Sequence, residues 1–261
     1  MANKTIHLPL SQPQPQFGGT LRTDAWWAGP AVTVLVLLGF VVYATWRTFE
    51  GTAYEWDAYL SPFYSPTLDV EWAHRWGLWF ATPAMLILPG PLSFRFTCYY
   101  YRKAYYRAFA WDPPACGVGE RAPHRYNGET KLLLFQNFHR YAMYVAVIFL
   151  VFLWKDAILA IVGWKDGGAH VGVGTLVMLL NVVLISGYTF GCHSFRHLVG
   201  GGVNSFSTAP LGGMRHSLWK LVTVLNERHM AFAWLSLFSV GLTDFYIRMV
   251  ASGALTDLRL F

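Results

Sequence analysis

The chain has 261 residues, of which 54% are hydrophobic, 17% aromatic and only 13% charged. Soluble domains carry about 25% charged residues, so a water-facing surface for a chain of this size is missing. That deficit excludes a disordered chain, a collagen-like fibre and a small disulfide scaffold, and it points to lipid as the solvent. The formal net charge of +6 matches retention of Lys and Arg in cytoplasmic loops better than a nucleic-acid footprint, so no nucleic-acid partner is expected. Three cysteines are too few and odd in number for a disulfide framework. Free thiolates of that kind are candidate metal ligands.

In chain order, residues 1–25 form a polar, Pro/Gln-rich segment with no apolar stretch, and no signal peptide is expected. Residues 26–261 read as an all-α membrane domain. A crossing takes about 20 apolar residues, and five stretches qualify: Trp26–Trp46, Trp72–Leu92, Phe138–Val162, Val171–Phe190 and His229–Val250. The second contains Pro83, Pro89 and Pro91, which predict a kink or an early end. Loop 94–135 carries seven Lys/Arg against three acids, and loop 196–228 adds Arg196, Arg215, Lys220 and Arg228. The positive-inside rule therefore puts the N-terminus and both loops in the cytoplasm. Trp26, Trp27, Trp46, Trp72, Trp76, Trp154, Trp164 and Trp219 fall near the expected span ends, as an aromatic belt does.

With sides assigned, Cys and His residues gather on one face. Cys98 follows the second stretch, Cys116 lies in Pro113-Pro114-Ala115-Cys116, and His139 opens the third. Cys192, His193 and His197 close the fourth, and His229 opens the fifth. An isolated interfacial His or apolar-helix Cys is ordinarily a packing residue. Ionisable groups from several span ends, all on one side, make a functional site the better reading. Two cofactors suit this inventory: a haem b held by two imidazoles, or a Rieske-type [2Fe–2S] cluster held by two thiolates and two imidazoles. Spacing alone does not separate them. No phosphate loop, dinucleotide fingerprint, nucleophile elbow or HExxH motif is present, so the chemistry feeding this site is expected on another subunit.

Two further features stand out. Tyr99–Arg107 is a basic, aromatic stretch suited to lipid headgroups or to a docked soluble partner. Asp244 lies inside the fifth stretch, where a buried charge is costly. It is expected to pair near the outer end of the third stretch, with Lys155 or Asp156, or to serve a proton route.

The strings Thr97-Cys98-Tyr99-Tyr100-Tyr101-Arg102-Lys103-Ala104-Tyr105-Tyr106-Arg107, Pro113–Cys116, Gln136-Asn137-Phe138-His139-Arg140-Tyr141, Cys192–His197 and Asn226-Glu227-Arg228-His229-Met230 resemble the membrane-anchor (cytochrome b-like, SdhC) subunit of the mycobacterial-type succinate dehydrogenase. The resemblance runs over about residues 30–261 and includes Ser61–Pro66. It implies a multi-pass anchor in a bacterial plasma membrane, joined to a flavoprotein subunit and an iron–sulfur subunit. Electrons from succinate then reach quinone through a membrane-embedded Rieske-type [2Fe–2S] cluster, and the resemblance alone favours that cluster over haem b. The expected ligands are Cys98, Cys116, His139 and His229, with Cys192 and His193 in reserve. The expected quinone-binding residues are Arg140, Tyr141, Arg196, His197 and Trp219. A haem b anchor, and a transporter or scaffold with incidental Cys and His, are the alternatives.

Overall fold

The computed structural model describes residues 16–120, 137–165 and 167–260. His7, His124 and the basic residues Arg121, Arg125 and Lys131 of the sequence reading lie outside the described residues. The chain divides into two compact units: Met1–Leu38 with Arg102–Gly128, and Gly39–Tyr101 with Glu129–Phe261.

The architecture is helical. Helix α1 spans Ala28–Glu50 and is followed by a two-stranded hairpin, β1 (Glu55–Trp56) and β2 (Tyr59–Leu60). Short helices α2 (Glu71–Arg75), α3 (Pro83–Ile87), α4 (Pro89–Thr97) and α5 (Tyr99–Tyr105) come next, the last running into a π turn over Tyr106–Ala110. After these come α6 (His139–Val162), α7 (Val173–Phe190), α8 (His193–Arg196), a π turn (His197–Gly201), α9 (Gly212–Glu227) and α10 (His229–Ala251). Among the described residues, four helices are long and apolar enough to cross a membrane: α1, α6, α7 and α10.

The second expected stretch is not one helix. Gly77 turns the chain at φ +83°, and Pro83 and Pro89 each stand at the start of a new helix, where their missing N–H costs nothing. The prolines therefore cut Trp72–Leu92 into α2, α3 and the first part of α4. Helix α9 was also hidden in the sequence, because its basic residues read as loop charge. It carries an apolar strip with Leu218, Leu221 and Val222 on it.

In the first unit, Thr20 pairs with Val118 in an isolated bridge, and Thr20 Oγ1 donates to the Gly117 carbonyl at 2.7 Å. Arg22 donates to the Cys116 carbonyl at 2.9 Å and pairs with Asp24. Phe17 and Trp26 both pack on Trp111.

In the second unit, α10 packs on α7, and α6 packs on both α4 and α7. A Cβ at Gly187 would stand 2.4 Å from the Phe232 ring, so glycine is what lets α7 and α10 approach so closely. Lipid offers no water to satisfy polar groups, and the buried charges at one end of this unit are paired accordingly. The Asp244 carboxylate, fully buried, takes the Arg248 Nε at 2.9 and 3.0 Å, the Tyr43 hydroxyl at 2.6 Å and the Ser61 hydroxyl. Arg248 in turn reaches Glu50 at 3.1 Å and the carbonyls of Thr52 and Arg47. This corrects the expected pairing of Asp244 with Lys155 or Asp156. The partner is one turn along the same helix, while Asp156 receives the Ser65 hydroxyl instead. Near the same end, Asp257 accepts from Tyr59, Tyr246 and the Gly174 amide, tying the C-terminal segment to the hairpin and α7.

Candidate redox site

The other end of the second unit holds Cys98, Cys192, His139 and His229. Helix α4 stops at Thr97 because Cys98 is extended (φ −61°, ψ 129°), and α5 restarts at Tyr99. That break buries the Cys98 side chain beneath the helix ends. His139 is the first residue of α6, and His229 is the first of α10, set there by the non-helical Arg228. Cys192 caps α8, its sulfur accepting from the Phe195 amide at 3.2 Å.

Each imidazole is held by an aromatic ring. His139 stacks on Phe94 at 4.7 Å between centroids, and His229 stacks on Tyr188 at 5.0 Å. Phe94 and Tyr188 meet edge to face at 5.2 Å, so the four rings form one pack. Thr97 Oγ1 lies 3.0 Å from His139 Nδ1, and the Cys98 sulfur lies 3.5 Å from His229 Nε2. His229 Nδ1 and the Tyr188 hydroxyl are buried without a hydrogen-bond partner. Cys192 is fully buried and within electrostatic reach of Cys98, and burial pushes its thiol up to about 12. His193 is exposed. Among the described residues no three His, Cys, Asp or Glu side chains stand close enough together to hold a metal ion. The contacts come in pairs. Cys116 belongs to the first unit, where it is exposed.

Arg95 organises this end, and sequence reasoning counted it only as loop charge. Its guanidinium lies over the Tyr188 ring at 4.8 Å and donates to the Tyr101 hydroxyl at 2.8 Å, to Ser236 Oγ at 3.0 Å and to the Ala233 carbonyl at 3.3 Å. The signal available was its place: three residues before Cys98, on the last turn of an apolar helix. Tyr101 also donates to the Ala233 carbonyl at 2.6 Å, and Trp234 to the Tyr100 hydroxyl at 2.7 Å. The Tyr-rich stretch is therefore partly internal to the bundle, not wholly a surface.

The five expected quinone-binding residues form two groups on α6, α8, the π turn after it and α9. Arg140 lies 3.3 Å from His197 Nδ1, with Tyr141 exposed beside it on the same helix. Arg196 donates to Thr223 and sits over the Trp219 ring at 4.7 Å. None of the five lines the apolar cavity beside Arg95. That cavity, of about 410 Å³, lies among the second half of α1, α3–α4, α6, α7 and α10. Its walls are apolar apart from Thr45, Thr48, Tyr188, Thr189 and one charge, Arg95.

The profile of the actinobacterial succinate dehydrogenase subunit SdhC family matches residues 28–253. A chain of the solved Mycobacterium smegmatis Sdh1 complex in the apo form is 44% identical, with a TM-score of 0.77, over 93% of this chain and 94% of that one. No curated protein matches. With a family match over most of its length, and four apolar helices to hold it in a bacterial plasma membrane, the chain belongs to the actinobacterial SdhC family, the membrane-anchor subunit of succinate dehydrogenase.

Proposed function

We propose that this anchor takes electrons from the iron–sulfur partner subunit and delivers them to quinone by way of a Rieske-type [2Fe–2S] cluster at the Cys/His end. One observation carries the reading: two buried thiols, Cys98 and Cys192, share one end of the bundle with two imidazoles, His139 and His229, each held by a ring. The donor set fits the cluster in kind, with two soft sulfurs, two nitrogens and an unpartnered Nδ1 on His229. When bound, the group supplies one-electron transfer at a potential raised by its imidazole ligands. Cys98, Cys192, His139 and His229 would hold it. Cys116, the expected second thiolate, is tested against Cys192 by the same variants.

The chain's own residues do the rest. Phe94 and Tyr188 fix the imidazole planes and keep water from the rings. Arg95 sets a positive charge at the cavity, and the cavity walls take the apolar body of a quinone, as such slots generally do. The Arg140–His197 and Arg196–Trp219 groups are the competing seat for the quinone head, nearer the end of the bundle. By the positive-inside rule this end faces the cytoplasm, with the N-terminus on the same side. The broken α3–α4 run then provides the fifth crossing. Haem b ligated by His139 and His229 is the second reading, and the Cys98 sulfur 3.5 Å from His229 Nε2 disfavours it, since a porphyrin needs that space.

EPR of the reduced whole complex, with iron and acid-labile sulfide assays, tests the cofactor. The expected outcome is a Rieske-type signal that disappears in Cys98→Ser and His229→Ala. It is retained in only one of Cys116→Ser and Cys192→Ser. A sharp haem absorption without labile sulfide overturns the reading. For the quinone seat, Arg95→Gln is expected to raise the quinone KM, and Arg140→Leu to leave it unchanged. The reverse pattern moves the seat to the α6/α8/α9 residues.

A further inference from the structure

Helix α10 carries His229, Ser236, Ser239, Thr243, Asp244 and Arg248 on its inward side, and the last five are buried. Most of these groups have evident partners. Ser236 holds Arg95, Ser239 donates to the Asn181 side chain at 2.9 Å, and Asp244 is saturated by Arg248, Tyr43 and Ser61. Thr243 does not. It is 1% exposed, and its hydroxyl has no hydrogen-bond partner. It lines a small cavity of about 10 Å³ together with Asp156 and Asn181.

That volume is close to the least that admits one water. The walls supply what a water needs: the Asp156 carboxylate from α6, the Asn181 amide from α7 and the Thr243 hydroxyl from α10. An empty void lined by these groups would leave a buried hydroxyl unsatisfied, which costs free energy in a medium without water.

We infer that this cavity holds an internal water, and that the water completes a proton route running along α10 from the end opposite the Cys/His site to Arg95 at the apolar cavity. The sequence of groups is Glu50 at the surface, the Arg248–Asp244 pair with Ser61, the Thr243–Asp156–Asn181 water, Ser239, Ser236 and Arg95. Glu50 is the part-exposed member, at 28%. The charged or titratable groups facing this line come from α1 (Tyr43, Arg47, Glu50), the turn after the hairpin (Tyr64), α4 (Arg95), α5 (Tyr101), α6 (Asp156), α7 (Tyr188) and α10 (Asp244, Arg248). The route rests on the proposed quinone reaction. Succinate oxidation on the partner subunits releases two electrons and two protons, and quinone takes up two electrons and two protons to become quinol. The electrons arrive from the cytoplasmic side. The α10 line brings the protons from the opposite side: each proton passes between carboxylate, water and hydroxyl oxygens as far as Ser236, while the Arg248 and Arg95 guanidiniums stay protonated and hold those oxygens in place, and no other bond is made or broken.

The test uses the whole complex, reconstituted in one orientation in liposomes with a pH-indicating dye on the side opposite the partner subunits. Succinate and a short-chain quinone start the reaction. The wild type is expected to make that side more alkaline as quinone is reduced. Thr243→Val and Ser239→Ala are expected to slow quinone reduction about tenfold while leaving succinate-to-dye electron transfer and the EPR signal intact. Thr243→Ser, which keeps the hydroxyl, is expected to restore the rate. No pH change on that side during quinone reduction, or unchanged rates in both Thr243→Val and Ser239→Ala, overturns the route and leaves the quinone reading standing. Absence of quinone reduction in the wild type overturns both.

Discussion

The two ends of the second unit treat their polar groups in opposite ways. At one end every buried carboxylate is supplied: Asp244 by three partners, Asp257 by three and Asp156 by Ser65. At the other end, His229 Nδ1 and the Tyr188 hydroxyl are buried and unpartnered, and two thiols lie buried beside them. Unmet donors in lipid cost free energy; Arg47 Nε and the Thr243 hydroxyl are left open too, but the unpartnered imidazole and phenol stand at the end that also holds the buried thiols. The first end holds the helices together. The second carries the proposed ligands.

The largest expected effect breaks that contrast directly. Arg248→Leu strands the Asp244 carboxylate in the interior, and removing one partner of a buried ion pair costs about 3–5 kcal/mol. The expected outcome is poor recovery of intact complex and a large drop in its unfolding temperature. His229→Ala removes a group with little paired to it, so the same measurement is expected to shift slightly while quinone reduction is lost. If His229→Ala unfolds the anchor as severely as Arg248→Leu, the Cys/His end is structural and the contrast is wrong.

A medium effect sharpens the contrast from the packing side. Gly187→Ala places a methyl against Phe232, 2.4 Å from its ring, where overpacking costs about 1–3 kcal/mol. Phe232 is three residues beyond His229, and Gly187 is next to Tyr188, the ring on which His229 stacks. The substitution is expected to broaden or shift the EPR signal as well as lower stability, because it wedges α7 from α10 at the site. A comparable wedge at Gly174, against Tyr59 at 2.4 Å, is expected to lower stability with no change in that signal.

Much of this was legible in the sequence, and the parts that were not have physical reasons. Lipid demands long apolar runs, so α1, α6, α7 and α10 were each visible within a few residues of their ends. His139, Cys98 and His229 could be grouped because they stand at the same ends of different spans, which needs only orientation. Asp244 reads in the sequence as a charge requiring a partner, and the expected partners lie on another helix. Arg248 sits four residues on, where a helix puts side chains on one face, and the rule for that pairing was sufficient. Arg95 was missed for a different cause. A charge just past an apolar stretch reads as an interfacial anchor, and nothing local says that its guanidinium turns inward under Tyr188. Tertiary packing decides that.

The smallest effect tests how completely the saturated end is saturated. Tyr59 donates to Asp257 at 2.8 Å and lies 3.2 Å from Thr175, and Tyr59→Phe is expected to cost about 1 kcal/mol. It also removes a titration. Burial, together with the Asp257 carboxylate, pushes the Tyr59 hydroxyl up to about 12, above the value near 10 of an unfolded tyrosine. A pKa raised by folding means the protonated form is favoured in the native state. The stabilisation is therefore complete below about pH 10 and is lost as pH rises toward 12. Unfolding temperature followed from pH 8 to pH 11 is expected to fall more steeply for the wild type than for Tyr59→Phe above pH 10. Parallel curves would mean that water reaches the Tyr59–Asp257 pair, and that the well-packed end is more open than its hydrogen bonds imply.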